Sequence, residues 1–464
     1  MPGDHEIYGT MSVGRLFVRC AAPGMISGLV WALCSIADGI FVGNYLGSDA
    51  LAAVNLAWPV MTVVMALVDM IAAGSSVRIS MHLGSGDVDS ARRVFSGSVR
   101  FIVVISVLFT LFGVFLSEPV VRFFGAEGEL AEVTAQYIAV FSLFAPVGLL
   151  FFATDNYLRI CGAVGLSMWI NVGVTVLNIA LLALLIGVMG CGTWASAFAT
   201  GFSVCVGSVA ALVPFFRRRY VLTFVRGWMD LRTTARVMYN GISTFFNSVS
   251  GSLYMMVANT VLLAIAGNAG VSSFGIIMYV NSVIGSLFFG TASAVQPALS
   301  YNHGAGDGCR VRLLSAVMFA VSMAMGVGMC ALCVLLDDGI VSVFLDEGDA
   351  SVAAMAAAGL SIYALSYLTM WVSTEVNQVL AATDLPAHAL SVGVMSQLVI
   401  PVLLLLPMSA WGVDGVWWSM VLGYLVSAVF SAAMLLLGAR RGIFERTRPP
   451  SDRDASRSHR HTHL

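Results

Sequence analysis

The chain has 464 residues, of which 59% are hydrophobic and 10% are charged, with a formal net charge of −2 at pH 7. Soluble domains carry about 25% charged residues, so this composition and the mean hydropathy of +0.90 exclude a water-soluble protein. The apolar runs exceed the ~20 residues that cross a bilayer as a helix. They are continuous rather than alternating, which favours helices over a barrel.

Glycine, proline and charge clusters divide the chain into twelve apolar segments. We predict an all-α integral membrane protein with transmembrane helices at 16–43, 51–80, 95–117, 130–160, 165–189, 192–216, 235–265, 271–300, 312–336, 350–382, 387–410 and 413–439. Asp38 is the one charged residue between Ala21 and Val42, inside the first segment.

Arginine placement predicts the orientation of these helices. All 23 basic residues are arginine, and the even-numbered loops and the C-terminal tail hold nearly all of them, whereas the odd-numbered loops hold only Arg122. Because basic residues accumulate on the cytoplasmic side, we predict a multi-pass protein of the cell membrane with cytoplasmic N- and C-termini. The polar, Pro- and Ser-rich residues 443–464 are predicted to be disordered.

The two halves of the sequence match each other. LGSGD at 83–87 lies 220 residues before HGAGD at 303–307, and the same offset carries Gly47 onto Gly267. Farther along, GTWAS at 192 corresponds to GVWWS at 415. Six spans return the chain to its starting side, so the two repeats run parallel and are related by an axis along the membrane normal.

This duplication predicts two pseudo-symmetric six-helix lobes that face each other across a central cleft. The N-lobe is predicted at 1–216, a cytoplasmic linker at 217–233 and the C-lobe at 234–442. Such an arrangement is typical of transporters that rock two lobes about a site near the bilayer midplane.

Two segments resemble one transporter family. PGMISGLVWALCSIADGIFVGNYLGSDALAAVNLAWPV, at 23–60, is similar to the opening of multidrug and toxic compound extrusion (MATE) transporters. AVQPALSYNHGAG, at 294–306, resembles the Gln-Pro segment of that family. The resemblance extends from about Arg15 to Gly442 and implies the MATE fold.

The resemblance also implies an activity: export of amphipathic, often cationic, organic compounds in exchange for protons or sodium. In one branch of the family the cation site holds a first-helix Asp, a fifth-helix Asn, an Asp four residues later and a sixth-helix Thr. Asp38, Asn178 and Thr200 match three of these positions, whereas Leu182 stands where the second Asp is expected. The coupling ion is therefore left open between H⁺ and Na⁺, and no other cofactor or metal is expected.

Helix geometry tests these positions without the family. At 1.5 Å per residue, Asp38 lies ~13 Å below the outer end of its helix, Thr200 ~12 Å and Asn178 ~17 Å. The three side chains are thus at similar depths in one lobe. A carboxylate inside the membrane is usually functional, although a structural acceptor bonded to neighbouring hydroxyls and amides is the alternative.

Four further polar residues within the spans are secondary candidates. Glu375 lies in the tenth helix, where some family members carry an acid, and Asp69 lies deep in the second helix. Gln296 and Asn259 of the C-lobe are predicted to line the cleft, with hydrogen bonds between helices as the alternative.

Two other functions are weighed. A lipid-linked oligosaccharide flippase of related fold needs a cationic cavity for pyrophosphate, and the position of the arginines at the rim disfavours it. An intramembrane enzyme needs paired Asp-rich motifs, HExxH or GxSxG, and the sequence contains none of them with partners. We predict a monomer that is not an enzyme, with small amphipathic molecules and the lipid bilayer as partners and no nucleic acid.

Overall fold

The computed structural model describes residues 6–123, 126–342 and 350–445. Within these ranges the chain is helical and contains no strand. Eleven of the described helices are long and apolar enough to cross a membrane. We number the spans α1 to α12: Val13–Leu46, Ala50–Gly84, Val88–Phe115, Gly128–Ile160, Val164–Val188, Trp194–Phe216, Leu231–Gly304 (α7 and α8), Gly308–Leu335, Val352–Ala382, Pro386–Trp411 and Val413–Arg440.

The long helix Leu231–Gly304 contains two spans. It has 74 residues, and Gly267 inside it has φ 60° and ψ −150°, which is not a helical conformation. A straight helix of that length would extend about 110 Å, several times the thickness of a bilayer. The chain therefore turns back at Gly267, which separates α7 from α8, and the predicted total of twelve spans is confirmed.

The backbone repeats the duplication of the sequence. Residues with positive φ occur in the same order in both halves, mostly as glycine because it lacks a Cβ atom. The pairs are Gly47 and Gly267, Gly86 and Gly306, Gly162 and Asp384, and Gly190 and Gly412. The carboxylates of Asp87 and Asp307 cap α3 and α9 in the same way, accepting from the Ser90 amide at 3.0 Å and the Arg310 amide at 3.2 Å. The two pseudo-symmetric six-helix lobes are thus confirmed.

The lobes press together at the end of the bundle that carries the α2–α3, α6–α7 and α8–α9 loops, which we call the arginine-rich end. A Cβ atom on Gly24 of α1 would lie 2.4 Å from the Gly290 carbonyl oxygen of α8. One on Gly84 of α2 would lie 2.0 Å from the Tyr301 carbonyl oxygen. Only glycine allows helix backbones to approach this closely, so the cleft is shut at this end.

The N-terminal helix Ile7–Thr10 adds to this closure. Tyr8 is 1% exposed, and its hydroxyl donates to the Arg159 carbonyl oxygen of α4. Its own carbonyl oxygen accepts from Asn302 of α8 at 3.0 Å and from Arg310 of α9 at 2.9 Å. One residue before α1 therefore contacts helices of both lobes.

The segment predicted as a linker packs on the N-lobe. Arg92 of α3 donates to the Val221 carbonyl oxygen at 2.8 Å, and the Val225 amide donates to the Ser96 hydroxyl at 2.9 Å. These bonds satisfy backbone groups that have no helical partners. The segment was predicted to extend to residue 233, but it ends at residue 230 because α7 begins at Leu231.

Two predicted boundaries need correction. The third span was predicted to begin at residue 95, but α3 begins at Val88, because the Asp87 cap extends the helix by two polar turns beyond the apolar run. Disorder was predicted from residue 443, but Ile443 is 4% exposed, and its Cδ1 lies 3.4 Å from the position of a Cβ atom built on Gly438 of α12. The rest of the predicted tail, from 446, lies outside the described residues.

Candidate functional site

A cavity of about 230 Å³ opens in the N-lobe, between α1, α2, α4, α5 and α6, and Tyr279 of α8 also lines it. Asp38, Asn178 and Thr200, the three residues taken from the resemblance, all line it. Much of the remaining wall is aromatic and includes Trp31 and Trp58. The depth argument thus agrees with the structure, which brings the three side chains to one cavity.

Asp38 accepts a hydrogen bond at the wall of this cavity. The Ser196 hydroxyl of α6, itself fully buried, donates to Asp38 Oδ1 at 2.6 Å. Tyr137 of α4 is 2% exposed and lines the cavity close to both groups. Just beyond Asp38, α1 widens into a π-helical turn at Val42–Leu46, a distortion that is frequent at functional sites.

Asn178 and Thr200 form a separate group. Asn178 Nδ2 donates to Thr200 Oγ1 at 3.1 Å, and Cys34 Sγ donates to Asn178 Oδ1 at 3.4 Å. Cys34 precedes Asp38 by four residues, as Ser196 precedes Thr200, so the two groups are one helical turn, about 6 Å, apart. The cavity wall therefore holds two neighbouring hydrogen-bonded layers rather than one shared ligand set.

Ser196, Cys34 and Tyr137 were missed by the sequence reasoning. Ser196 and Cys34 each lie four residues from a predicted site residue on the same helix, and positions four apart share a helix face. That spacing is a signal that could have identified both of them. Tyr137 comes from α4, where no predicted site residue indicates its rotation, so the sequence offered no signal for it.

A second cavity, of about 260 Å³, lies between the lobes and is lined by both of them. Asp69 of α2 and Gln296 of α8, two of the secondary candidates, both line this cavity. Within the described ranges, Asp69 has neither an ion pair nor a hydrogen-bond partner. Gln296 is 6% exposed, so this cavity has a polar wall near the centre of the molecule.

One ion pair dominates the chemistry of the inter-lobe cavity. Arg159 lies 2.6 Å from Asp155 Oδ2 within α4, and Asn171 donates to Asp155 Oδ1 at 2.8 Å. Arg159 also donates to the Ser293 hydroxyl of α8 at 3.4 Å, which links the lobes. Among the described residues that line this cavity, Arg159 is the only cation, and Asp155 neutralises it, whereas a pyrophosphate-binding flippase requires free cationic groups.

The other two secondary candidates lie elsewhere. Glu375 is fully buried, accepts from the Ser322 hydroxyl at 2.6 Å and lines neither cavity. Its second oxygen has no hydrogen-bond partner in the described part of the chain. Asn259, predicted to line the cleft, is half-buried on α7 and does not line the inter-lobe cavity, to which α7 contributes Thr244.

The described residues contain no group of three or more His, Cys, Asp or Glu side chains that could hold a metal ion.

Comparison with known proteins identifies the family of this chain. The family model MatE matches the chain twice, at residues 23–184 and 244–405. The chain belongs to the MatE family. The resemblance found in the sequence is thereby confirmed, and the double match coincides with the two lobes.

Relatives and solved structures agree with this assignment. The chain is 25% identical over 439 residues to the multidrug export protein MepA of Staphylococcus saprophyticus, covering 94% of this chain and 96% of that protein. MepA of Staphylococcus aureus is also 25% identical, with the same coverage. A MATE crystal structure in complex with MaL6 superposes with a TM-score of 0.90 at 22% identity, covering 96% of this chain and all of the other. An outward-facing MATE transporter of the MOP superfamily gives the same TM-score and identity, covering 96% and 99%.

Proposed function

We propose that the protein exports amphipathic cationic organic compounds across the cell membrane in exchange for protons, as a monomer with both termini in the cytoplasm. The observation that carries this proposal is Asp38, held by Ser196 on the wall of the N-lobe cavity. The names of the relatives, multidrug export proteins, support the direction of transport and the cargo.

The cavity chemistry favours the proton over sodium. Among the described residues that line the cavity, Asp38 is the only carboxylate, and Leu182 at the second acid position is fully buried in the core. Burial favours the neutral form of a carboxyl group, and protonation needs no further ligands. Hard cations stay charged and take several oxygen ligands, whereas Asn178 and Thr200 are already bonded to each other.

The shape of the molecule supports alternating access. Close glycine contacts shut the lobes together at the arginine-rich end, as at Gly24 and Gly290. If that end lies in the cytoplasm, as the distribution of arginine predicts, this conformation faces outward. Opening toward the cytoplasm requires those contacts to part, and the inter-lobe cavity with Asp69 and Arg159 would then become accessible from inside.

Transport in proteoliposomes tests the proposal. Uptake of a fluorescent organic cation is measured with a proton gradient alone and, separately, with a sodium gradient alone. Proton-driven uptake that a protonophore abolishes is expected, with no response to sodium. Uptake driven only by sodium would overturn proton coupling, and the absence of transport with either ion would overturn the antiport assignment.

A further inference from the structure

The linker between the lobes forms a basic surface at the arginine-rich end. Together with the first turns of α7 it spans residues 217–236, which contain six arginines and one acid, Asp230. All six arginines are exposed. Within the described ranges, their side chains form no ion pair. This surface therefore carries a net positive charge that the chain does not compensate.

The linker is held against α3, so this surface has a fixed shape. Leu222 is fully buried, and the rings of Phe216 and Phe224 stack with centroids 4.8 Å apart. A Cβ atom on Gly97 of α3 would lie 2.1 Å from Met229 Cγ, so the methionine fits against α3 because residue 97 has no side chain. The arginines are thus presented from a packed segment rather than from a loose loop.

Arg100 of α3 adds a positive charge beneath this surface. It lies five residues inside the apolar run that begins at residue 95, and it is half-buried. Its Nη2 atom donates to the Val225 carbonyl oxygen of the linker. In the part of the chain that the structure describes, Nη1 has no hydrogen-bond partner and the guanidinium forms no ion pair. A cation partly removed from water is unfavourable without a counter-charge, so an anion from outside the chain would stabilise this position.

The duplication indicates that the fold itself does not require an arginine here. The 220-residue offset carries Arg100 onto Ala320 of α9, which is exposed. The same position in the C-lobe thus faces away from the bundle, where the membrane lies, and holds a small apolar side chain. The charge at Arg100 is a feature of the N-lobe alone.

Two large apolar side chains stand beside these charges. Trp228 is 70% exposed and Leu231 is 85% exposed. Tryptophan is favoured at the boundary between hydrocarbon and headgroups, and the long arginine side chain can place its charge in the headgroup layer while its methylene groups stay in apolar surroundings. The combination is typical of a surface that lies in the headgroup layer of one leaflet.

We propose that Arg100, Arg226, Trp228 and Leu231, which we call the linker patch, bind an anionic phospholipid from the leaflet at the arginine-rich end. The lipid phosphate contacts Arg226 and compensates the charge of Arg100, while Trp228 and Leu231 lie beside the upper part of the acyl chains. An anionic headgroup is favoured over a zwitterionic one, because the choline group of the latter would meet the same arginines. The site involves neither the cargo nor the coupling ion, so it is independent of the proposed function.

Native mass spectrometry of the purified, delipidated full chain in detergent tests the proposal. The dissociation constant of the first bound lipid is measured for phosphatidylglycerol and for phosphatidylcholine with the same acyl chains. Phosphatidylglycerol is expected to bind more tightly. Arg226→Gln should weaken its binding about fivefold, the contribution of one basic residue near an anionic surface, and Arg100→Gln should weaken it by a similar factor.

Arg15→Gln is the matched control, because Arg15 is exposed on α1, which packs on α5 and α8 rather than on the linker. It should keep the wild-type affinity. Equal weakening in Arg15→Gln and Arg226→Gln would show that net charge alone attracts the lipid, and equal affinity of the wild type for the two lipids would show that the headgroup charge is not recognised. Either result would overturn the site. A loss confined to Arg100→Gln would make that arginine a tie for the linker alone and would overturn it as well.

Fluorescence locates the lipid and separates it from a soluble anion. Phosphatidylglycerol brominated near the headgroup end of its acyl chains should quench the emission that the wild type has and Trp228→Phe lacks, and it should do so more strongly than phosphatidylcholine with the same label. Absence of this quenching would place the lipid elsewhere. Inorganic phosphate in excess should not relieve the quenching; if it does, the patch binds a soluble anion and the lipid site is wrong.

Discussion

Substitution of Gly24 by alanine tests whether the contact between the lobes controls their movement. The added Cβ would lie 2.4 Å from the Gly290 carbonyl oxygen and 2.4 Å from Ala294 Cβ. An ordinary contact is about 3.5 Å, so α1 and α8 must move apart by about 1 Å. Overpacking of this kind costs about 1–3 kcal/mol. Because the contact exists only while the arginine-rich end is shut, the cost falls on that state alone.

A penalty of 1–3 kcal/mol changes the ratio of two conformations by about 5- to 150-fold. The assay is the distance between spin labels across the arginine-rich end, one at Ser85→Cys and one at the exposed Cys309, with the remaining cysteines replaced. Gly24→Ala should increase the long-distance population. Gly14→Ala is the control on the same helix, since its Cβ meets nothing within 4 Å. If Gly24→Ala keeps the wild-type distances and unfolding temperature, the close approach does not hold the lobes together.

Two further substitutions test the ion pair and the helix cap. Arg159→Met should lower the free energy of unfolding by about 3–5 kcal/mol, since Asp155 is left buried without its partner, and adding Asp155→Leu should restore most of the loss in thermal unfolding. Hydrogen bonds from Ser90 lower the pKa of Asp87 in the folded protein. The carboxylate therefore stabilises the fold above the ordinary Asp pKa, and this stabilisation is lost as the pH falls through the pKa that Asp87 has in the folded protein. Asp87→Ala should therefore cost about 1 kcal/mol at pH 7 and less below about pH 4, as read from unfolding temperatures; a constant difference across that range would contradict the charge effect.

The spans and their pairing into lobes were predictable because both depend on composition along the chain. Burial in lipid requires long apolar runs, and the duplicated glycines mark the same turns twice, as at Gly47 and Gly267. The tail boundary failed at Ile443 because that residue packs on the end of the bundle, and a window dominated by polar neighbours conceals a single buried side chain. The depth of each candidate residue below the end of its helix was also predictable, because a helix rises by a constant distance per residue.

Helix rotation was not predictable, and it decides which side chains meet. Depth alone predicted that Asp38, Asn178 and Thr200 could come together, but not that Asp38 would pair with Ser196 while the other two pair with each other. Asn259 and Gln296 gave equal signals in the sequence, yet only Gln296 lines the inter-lobe cavity. Partners across helices depend on packing angles that a single sequence does not specify.

In the proposed mechanism, Asp38 couples cargo movement to the proton. It is tested most directly by comparing two uptake modes of Asp38→Asn in the same proteoliposomes: uptake driven by a proton gradient, and exchange of external labelled cation for internal unlabelled cation without a gradient. Asp89→Asn is the control, because that carboxylate, in the first turn of α3, is 85% exposed. Asp38→Asn is expected to lose gradient-driven uptake and to retain exchange. Gradient-driven uptake at the wild-type rate in Asp38→Asn would contradict it.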